Sequence, residues 1–542
     1  MIGTDQDLQD AAGTLVQRVA DMTAGQALCH PVARAASGWA RKFAEPMRVA
    51  VVGEIKRGKS TLVNALVAAD ATLTVPDAAQ DRAVATGQLE TTYVLTELVH
   101  GAPPGICVRY RDGTSVTAPL HELPRYTVRR EHSSDQALAA VDRVVVTIDA
   151  PMLQRFRLID TPGFNSVYGT DAASSLNLLT ARGVDGADAV IYTIANKGLS
   201  SIGRDIARQF VATGTVMTPL KAIAVMPRAN ELWDPLREKA LTGEHADTDP
   251  LRRAQREIDA TPAGGGREMF HTTVPVAALL GEAAALASDD DFAALGEFVD
   301  VKPCTLEDAL MRRSANRWFA SRPDFPLDTG TRERLVRTFS PWGLFTAVEA
   351  LRDHPTVPVL RRLLDERSGV AGLRELICNH FGQRAGTVRV KAALTDITVL
   401  NRQLRMQLPA GKDQAIPLQV GRELEGFEVS HKVMFWQIEV LGELYRGGLK
   451  LRADQVDDLL RLTGERGGTL PARLGLPADA SRASLRRAAT EAGERWSAEA
   501  RAGQSSDAAE KMTRICDAIQ YQIQAWPIPA SDLPPHEREA AS

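Results

Sequence analysis

Residues 53–60, Gly-Glu-Ile-Lys-Arg-Gly-Lys-Ser, carry the spacing G-x-x-x-x-G-K-S. Gly53 and Gly58 let the backbone curl, so that N–H groups along Glu54, Ile55, Lys56, Arg57 and on to Thr61 converge on phosphate oxygens at a helix N-terminus. The Lys59 ammonium can reach the β- and γ-phosphates, and the Ser60 hydroxyl can ligate Mg²⁺. A second set lies at Asp160-Thr161-Pro162-Gly163. A carboxylate ending a strand beside the phosphate loop is where such sites hold Mg²⁺, commonly through water. Gly163 can offer its N–H to the γ-phosphate, and without a Cβ it lets the following loop swing when that phosphate leaves. A threonine between the two motifs should close over metal and γ-phosphate. Thr91 and Thr92 are the best placed, with Thr86 a third candidate. Together these residues predict binding of a nucleoside triphosphate with Mg²⁺, held by Ser60, Asp160 and Thr91.

The elements that must position them are also readable. Met47–Val52 is an apolar β-branched run that predicts a buried strand, and residues 60–67 have helical apolar spacing. This strand–loop–helix context is what the phosphate motif requires. Further strands are predicted at 93–99, 106–110, 141–148, 156–159, 189–194, 222–225 and 273–276, with Asp112-Gly113 turning a hairpin into 114–118. Alternation with helical segments predicts an α/β domain with a mostly parallel central sheet over residues 46–300. Beyond about residue 300 strand signals stop, which predicts an all-helical bundle over 301–530 and a disordered tail at 531–542. Residues 1–45 read as amphipathic helices, with Leu8, Ala12, Leu15, Val16 and Val19 on one face, ended by Pro46.

Bulk properties narrow the partners. The chain has 542 residues, 44% hydrophobic and 24% charged, with a net charge of −4, so no basic excess points to nucleic acid. Its five cysteines stand singly and its ten histidines form no zinc-like cluster, which suits a reducing cytosol and predicts buried, inert thiols. No stretch is long and apolar enough to span a bilayer, so any membrane contact must be peripheral. The run Val433–Leu441, interrupted by Gln437 and Glu439, predicts one face of a packed helix. Basic residues between Arg384 and Lys412 predict a solvated bundle face, with a lipid-facing tip near Leu408–Lys412 as the rival reading.

Several segments resemble the bacterial dynamin-like GTPases, and most closely their actinobacterial isoniazid-inducible type. These are residues 53–66, 91–101, Ala150-Pro151-Met152-Leu153 ahead of 160–164, and 368–376 with 381–385. The resemblance covers roughly residues 40–400. It implies GTP and GDP as ligands, a GTPase domain joined to a helical neck, and a homodimer or heterodimer formed through the nucleotide face. It also implies a cytoplasmic protein peripheral to the inner face of the cell membrane. The family's water-positioning does not use a glutamine after D-x-x-G, consistent with Phe164-Asn165-Ser166 here. Lys56 stands where the family can place a small polar residue that holds a monovalent cation. Its ammonium could supply that charge directly, making Lys56 a catalytic candidate beside Lys59, Ser60 and Thr91.

One departure concerns the base. Where the family reads guanine with N/T-K-x-D, this chain has Pro227-Arg228-Ala229-Asn230. Arg228 can stack on the purine as the family's lysine does. Asn230 can accept one hydrogen bond, but turns an N–H₂ toward guanine's second donor, so guanine discrimination should weaken. The last base-contacting loop is Ala277-Ala278, whose contact is largely backbone. The leading expectation is therefore a GTPase of relaxed base specificity. The alternative is a nucleotide-gated scaffold, or a weakly active partner of another dynamin-like protein.

Overall fold

The computed structural model describes residues 4–68, 94–128, 138–163, 186–196, 218–235, 238, 248–260, 269–311, 319–353, 356–408, 411, 414–502 and 506–525. The expected tail at 531–542 lies outside the described residues. The chain divides into two compact units, one of residues 45–382 and one of residues 1–44 with 383–542. Residues 301–382 group with those of the sheet in the first of these units.

The first unit is built on nine strands: β1 (Met47–Gly53), β2 (Leu95–His100), β3 (Gly105–Tyr110), β4 (Ser115–Ala118), β5 (Val141–Ile148), β6 (Phe156–Asp160), β7 (Ala189–Thr193), β8 (Ala222–Met226) and β9 (Thr273–Pro275). They form one sheet in the order β4-β3-β5-β2-β6-β1-β7-β8-β9. β6, β1, β7, β8 and β9 run parallel, β2 is antiparallel to β6, and β3–β4 form an antiparallel hairpin. The central strands read as unbroken apolar runs because both faces are covered; every residue of β7 and β8 is buried. Asp112 seals the β3–β4 turn by accepting from Thr114 N (2.8 Å) and Thr114 Oγ1 (2.6 Å). β1 sits with β6 on one side and β7 on the other. In open α/β sheets the crevice outside the strand C-termini at such a reversal is the ligand site.

Helices Ala278–Leu286, Asp289–Gly296, Pro303–Met311, Thr329–Asp353, Val357–Ser368 and Val370–His380 complete this unit. Phe292, Phe298, Phe319, Phe339 and Leu344 form much of their shared core. Helix Val370–His380 follows Gly369, whose positive φ of 77° turns the chain. Its Arg374 donates to Ala65 O (3.3 Å) at the end of helix Lys59–Ala68, so residues 368–376 pack on the helix that follows the phosphate loop.

Among the described residues the second unit has helices and no strand. Helices Asp5–Thr23 and His30–Phe43 bury Leu8, Leu15, Val16, Val19, Val32 and Trp39. The Asp5 carboxylate accepts from Gly386 N (2.6 Å), Thr387 N (2.6 Å) and Thr387 Oγ1 (2.6 Å), capping the first turn of helix Ala385–Gln407. Trp39 Nε1 donates to Asp396 on the same helix (2.9 Å). The basic run there is not a uniform solvated face. Arg389 is buried and donates to Lys42 O, Arg384 pairs with Glu465, and Lys391 pairs with Glu428 at 2.6 Å. Arg402 and Arg405 are exposed, and Lys412 lies outside the described residues. Val433–Leu441 belongs to helix Lys432–Tyr445, which buries Met434, Phe435, Ile438, Val440 and Leu441. No described helix is long and apolar enough to cross a membrane. Of the cysteines, Cys29 and Cys516 are buried as expected and Cys107 and Cys378 half-buried, but Cys304 is exposed, contrary to expectation, at the second position of helix Pro303–Met311.

Candidate functional site

The loop between β1 and helix Lys59–Ala68 is fixed by close backbone packing. Gly53 has φ 148°, and a Cβ there would stand 2.2 Å from Thr193 Oγ1 and 2.7 Å from Thr193 O. Thr193 lies directly across from Gly53 in the β1–β7 register and donates to Val52 O (3.1 Å). No other residue fits both the dihedral and the gap. Gly58 also has a positive φ, 84°, and its missing Cβ leaves room for Pro227 Cβ at 3.2 Å. Lys56, at the loop's tip, has φ 59° and an exposed side chain. Its backbone conformation is one that non-glycine residues rarely adopt. Glu54 and Arg57 brace the loop as an ion pair at 2.5 Å. Ile55 is half-buried against Gly163.

Lys59 is buried, and its Nζ donates to Glu54 O (3.0 Å) and Gly53 O (3.3 Å), which folds it over the loop. Ser60 Oγ donates to Asp160 Oδ2 at 2.7 Å. Register explains this meeting: Val51 of β1 faces Asp160 of β6, so the end of β6 lies beside the start of the helix. Asp160 and Thr161 are fully buried, and Thr161 Oγ1 donates to Val51 O (2.9 Å). Gly163 lies so close to the loop that a Cβ would meet Ile55 Cα at 2.8 Å and Ile55 N at 2.9 Å. The hydroxyl and carboxylate oxygens of Ser60 and Asp160 are the hard donors that Mg²⁺ takes alongside substrate phosphates. This pair therefore fits the ion. Tyr192 of β7 is buried, and burial together with the Glu54 charge pushes its hydroxyl pKa well up, so it stays neutral.

On the other flank, β8 ends at Met226, and Pro227–Asn230 leads into the short turn Ala229–Leu232. Arg228 pairs backbone to backbone with Ala277, while Ala278 N donates to Pro227 O (2.9 Å) and Ala229 N to Val276 O (3.1 Å). Arg228, Asn230 and Ala277 thus come together in two paired loops at the C-terminal edge of the sheet. Arg228 Nη1 meets Glu231 at 3.2 Å, and Asn196 Nδ2 donates to the same carboxylate at 3.3 Å. Thr86, Thr91, Thr92 and Phe164–Ser166 lie outside the described residues.

Sequence reasoning passed over several contributors. Thr193 has no local motif and is found only through its register with Gly53. Asn64 of the loop's helix donates to Glu282 at 2.8 Å, both side chains being buried. Glu282 follows the 277–278 loop by one helical turn, but nothing in its spacing pairs it with Asn64. Glu231, adjacent to Asn230, was a visible carboxylate in the base-side loop.

Residues 49–215 match the model of the dynamin family. They form a dynamin-family domain. The isoniazid-induced protein IniC of Mycobacterium tuberculosis is 27% identical over 459 residues, covering 84% of this chain and 85% of that protein. An uncharacterized protein from the xynA 3′ region of Caldicellulosiruptor is 28% identical over 148 residues, covering 27% of this chain and 32% of that one. A solved structure described as an oligomerised bacterial dynamin pair superposes with a TM-score of 0.30 at 11% identity, covering 99% of this chain and 78% of the other. A superposition that loose carries no argument here. The matched residues carry β1 to β7 of the mostly parallel sheet, and with the helices of the C-terminal half the architecture is the expected fold class.

Proposed function

We propose that this dynamin-family protein binds and hydrolyses GTP with Mg²⁺, with relaxed discrimination for guanine. The observation that carries this reading is the Ser60–Asp160 contact, which joins the residue after Lys59 to the end of β6. Phosphoryl transfer needs its reactants positioned and the developing oxygen charge stabilised, more than it needs covalent chemistry. The N–H groups of the loop orient the phosphates, and the Lys59 ammonium offsets charge on the β- and γ-oxygens. Ser60 and Asp160 would hold Mg²⁺, as would Thr91 or Thr92; bound there, the ion supplies further positive charge to the phosphate oxygens. Lys56, at the exposed tip of the loop, supplies a fixed cation where a monovalent ion would otherwise serve. Gly163, seated on Ile55, links the following loop to the phosphate cradle. Two chains would meet through the nucleotide face, as a homodimer or with another dynamin-like protein. The helical bundle would then convert nucleotide state into movement at the surface of an anionic membrane.

GTP and ATP hydrolysis measured side by side, with and without anionic liposomes, tests this reading, with Lys59→Ala as the inactive control. Turnover of GTP that the control lacks is the expected result. Asn230 favours a second reading, a nucleotide-gated scaffold or weakly active partner subunit; binding of nucleotide without turnover of either would select it.

A further inference from the structure

The base-side loop has a definite hydrogen-bonding polarity. Pro227 rests on Gly58 of the phosphate loop, Arg228 pairs with Ala277, and the turn closes through Trp233 N donating to Asn230 O (3.2 Å). The loop carrying Asn230 is thus tied to the cradle that would hold the phosphates, beyond the C-terminus of a parallel strand. Two polar neighbours, Arg228 and Asn196, both engage the Glu231 carboxylate. Among the described residues the Asn230 side-chain amide, half-buried, makes no hydrogen bond. It is a donor and an acceptor side by side in one plane, fixed by chemistry and not by pH.

We propose that Asn230 selects a purine with a carbonyl at C2 beside its N1–H, the edge of a xanthine nucleotide, over guanine. The inference rests on the reading of a nucleotide site and sharpens its base preference. Guanine offers two donors there, N1–H and the C2 amine. Against Asn230, one meets Oδ1 and the other meets Nδ2, donor against donor. Xanthine replaces that amine with a carbonyl, so N1–H donates to Oδ1 while O2 accepts from Nδ2. Adenine at the same placement offers only N1 as acceptor and a C2–H, allowing one bond at most. A carboxylate would reverse the order, since it accepts from both guanine donors. A mismatch that leaves a polar group unpaired in a site built on matched bonds is worth about tenfold to a hundredfold in selectivity.

The test is isothermal titration of the full chain with XDP, GDP and ADP in Mg²⁺ buffer, which reads the base without turnover. XDP should bind about tenfold or more tighter than GDP and ADP. Asn230→Asp should invert the XDP:GDP order by at least that factor. Asn230→Ala should lose the XDP preference without gaining GDP, and Lys59→Ala should weaken all three alike. Wild-type preference for GDP or ADP, or an unchanged ratio in Asn230→Asp, overturns the proposal. Equal binding of all three also overturns it while leaving the nucleotide site intact; binding of none overturns both readings.

Discussion

Gly163→Ala measures how tightly the D-T-P-G turn is seated on the phosphate loop. The new methyl would stand 2.6 Å from Ile55 Cγ1, 2.8 Å from Ile55 Cα and 2.9 Å from Ile55 N, where ordinary contact begins at 3.4 Å. The Ile55 side chain can rotate away, but its Cα and N belong to the loop backbone. The turn and the loop must therefore part by about half an ångström, and overpacking of this kind costs about 1–3 kcal/mol. A shift of that size misplaces the loop's N–H donors, Lys59 and Ser60. Since a 1 Å misplacement can lower turnover about 10²-fold, hydrolysis should fall by about tenfold or more. Urea unfolding gives the first quantity, and initial rates at saturating nucleotide give the second. Ile55→Ala in the same chain removes only the Cγ1 contact, so it should recover the smaller part of both losses. Wild-type stability and rate in Gly163→Ala would refute the reasoning, as would complete rescue by Ile55→Ala.

Further outcomes follow from single side chains. Hydrolysis by the wild type should proceed equally in potassium, sodium or choline buffer, whereas Lys56→Ser should slow it and make it respond to potassium; a potassium requirement in the wild type sinks the fixed-cation role. Ser60→Ala and Asp160→Asn should each cut turnover by about 10²-fold and raise the Mg²⁺ concentration needed for nucleotide binding, read by Mg²⁺ titration, while thermal melts change little. Asp5→Ala removes the cap of helix Ala385–Gln407 and should lower stability by about 1–2 kcal/mol in urea. Burial holds the Asp5 pKa above its ordinary value, outweighing the Thr387 and Gly386 hydrogen bonds that pull it down. A raised folded pKa means that this group's proton-linked stability is complete below the unfolded pKa and is lost as pH rises through the folded one. The advantage of the wild type over Asp5→Asn should therefore shrink from pH 4 toward neutrality, and a growing advantage would contradict the burial argument.

The sheet was legible in the sequence because its signals are local. Runs such as Val49–Val52, Ala189–Ile191 and Ala222–Met226 are apolar throughout, as strands buried on both faces must be. Asp112-Gly113 announced its hairpin through the side chain that closes it. What stayed hidden depends on lateral register or on partners far along the chain. Thr193 opposes Gly53 only because β7 pairs with β1 in one frame. Asn64 and Glu282 meet across two helices with nothing in either segment to mark the pairing. Arg384 and Arg389 looked like surface charge because helical spacing does not say which stripe a second helix will cover. The end of strand signals near residue 300 marks a change of secondary structure, and the helices on either side of it share one core, in which Leu280, Phe292 and Leu295 join Phe319, Phe339 and Leu344.

The phosphate loop is held at three points where a side chain is missing. Thr193 at the end of β7 fills the gap at Gly53, Pro227 after β8 fills the gap at Gly58, and Gly163 after β6 opens a gap for Ile55. Each contact comes from a different segment: the last residue of β7, the loop after β8, and the turn after β6. Rigid interiors transmit displacement, because packed atoms cannot be compressed. A change in any one of these segments must therefore move the phosphate loop or be resisted by the other two. On this geometry Pro227→Gly, which loosens the base-side contact without touching a base, should weaken binding of all nucleotides alike, whereas Asn230→Asp should change only their order. The two substitutions, three residues apart, separate the seating of the loop from the choice of base.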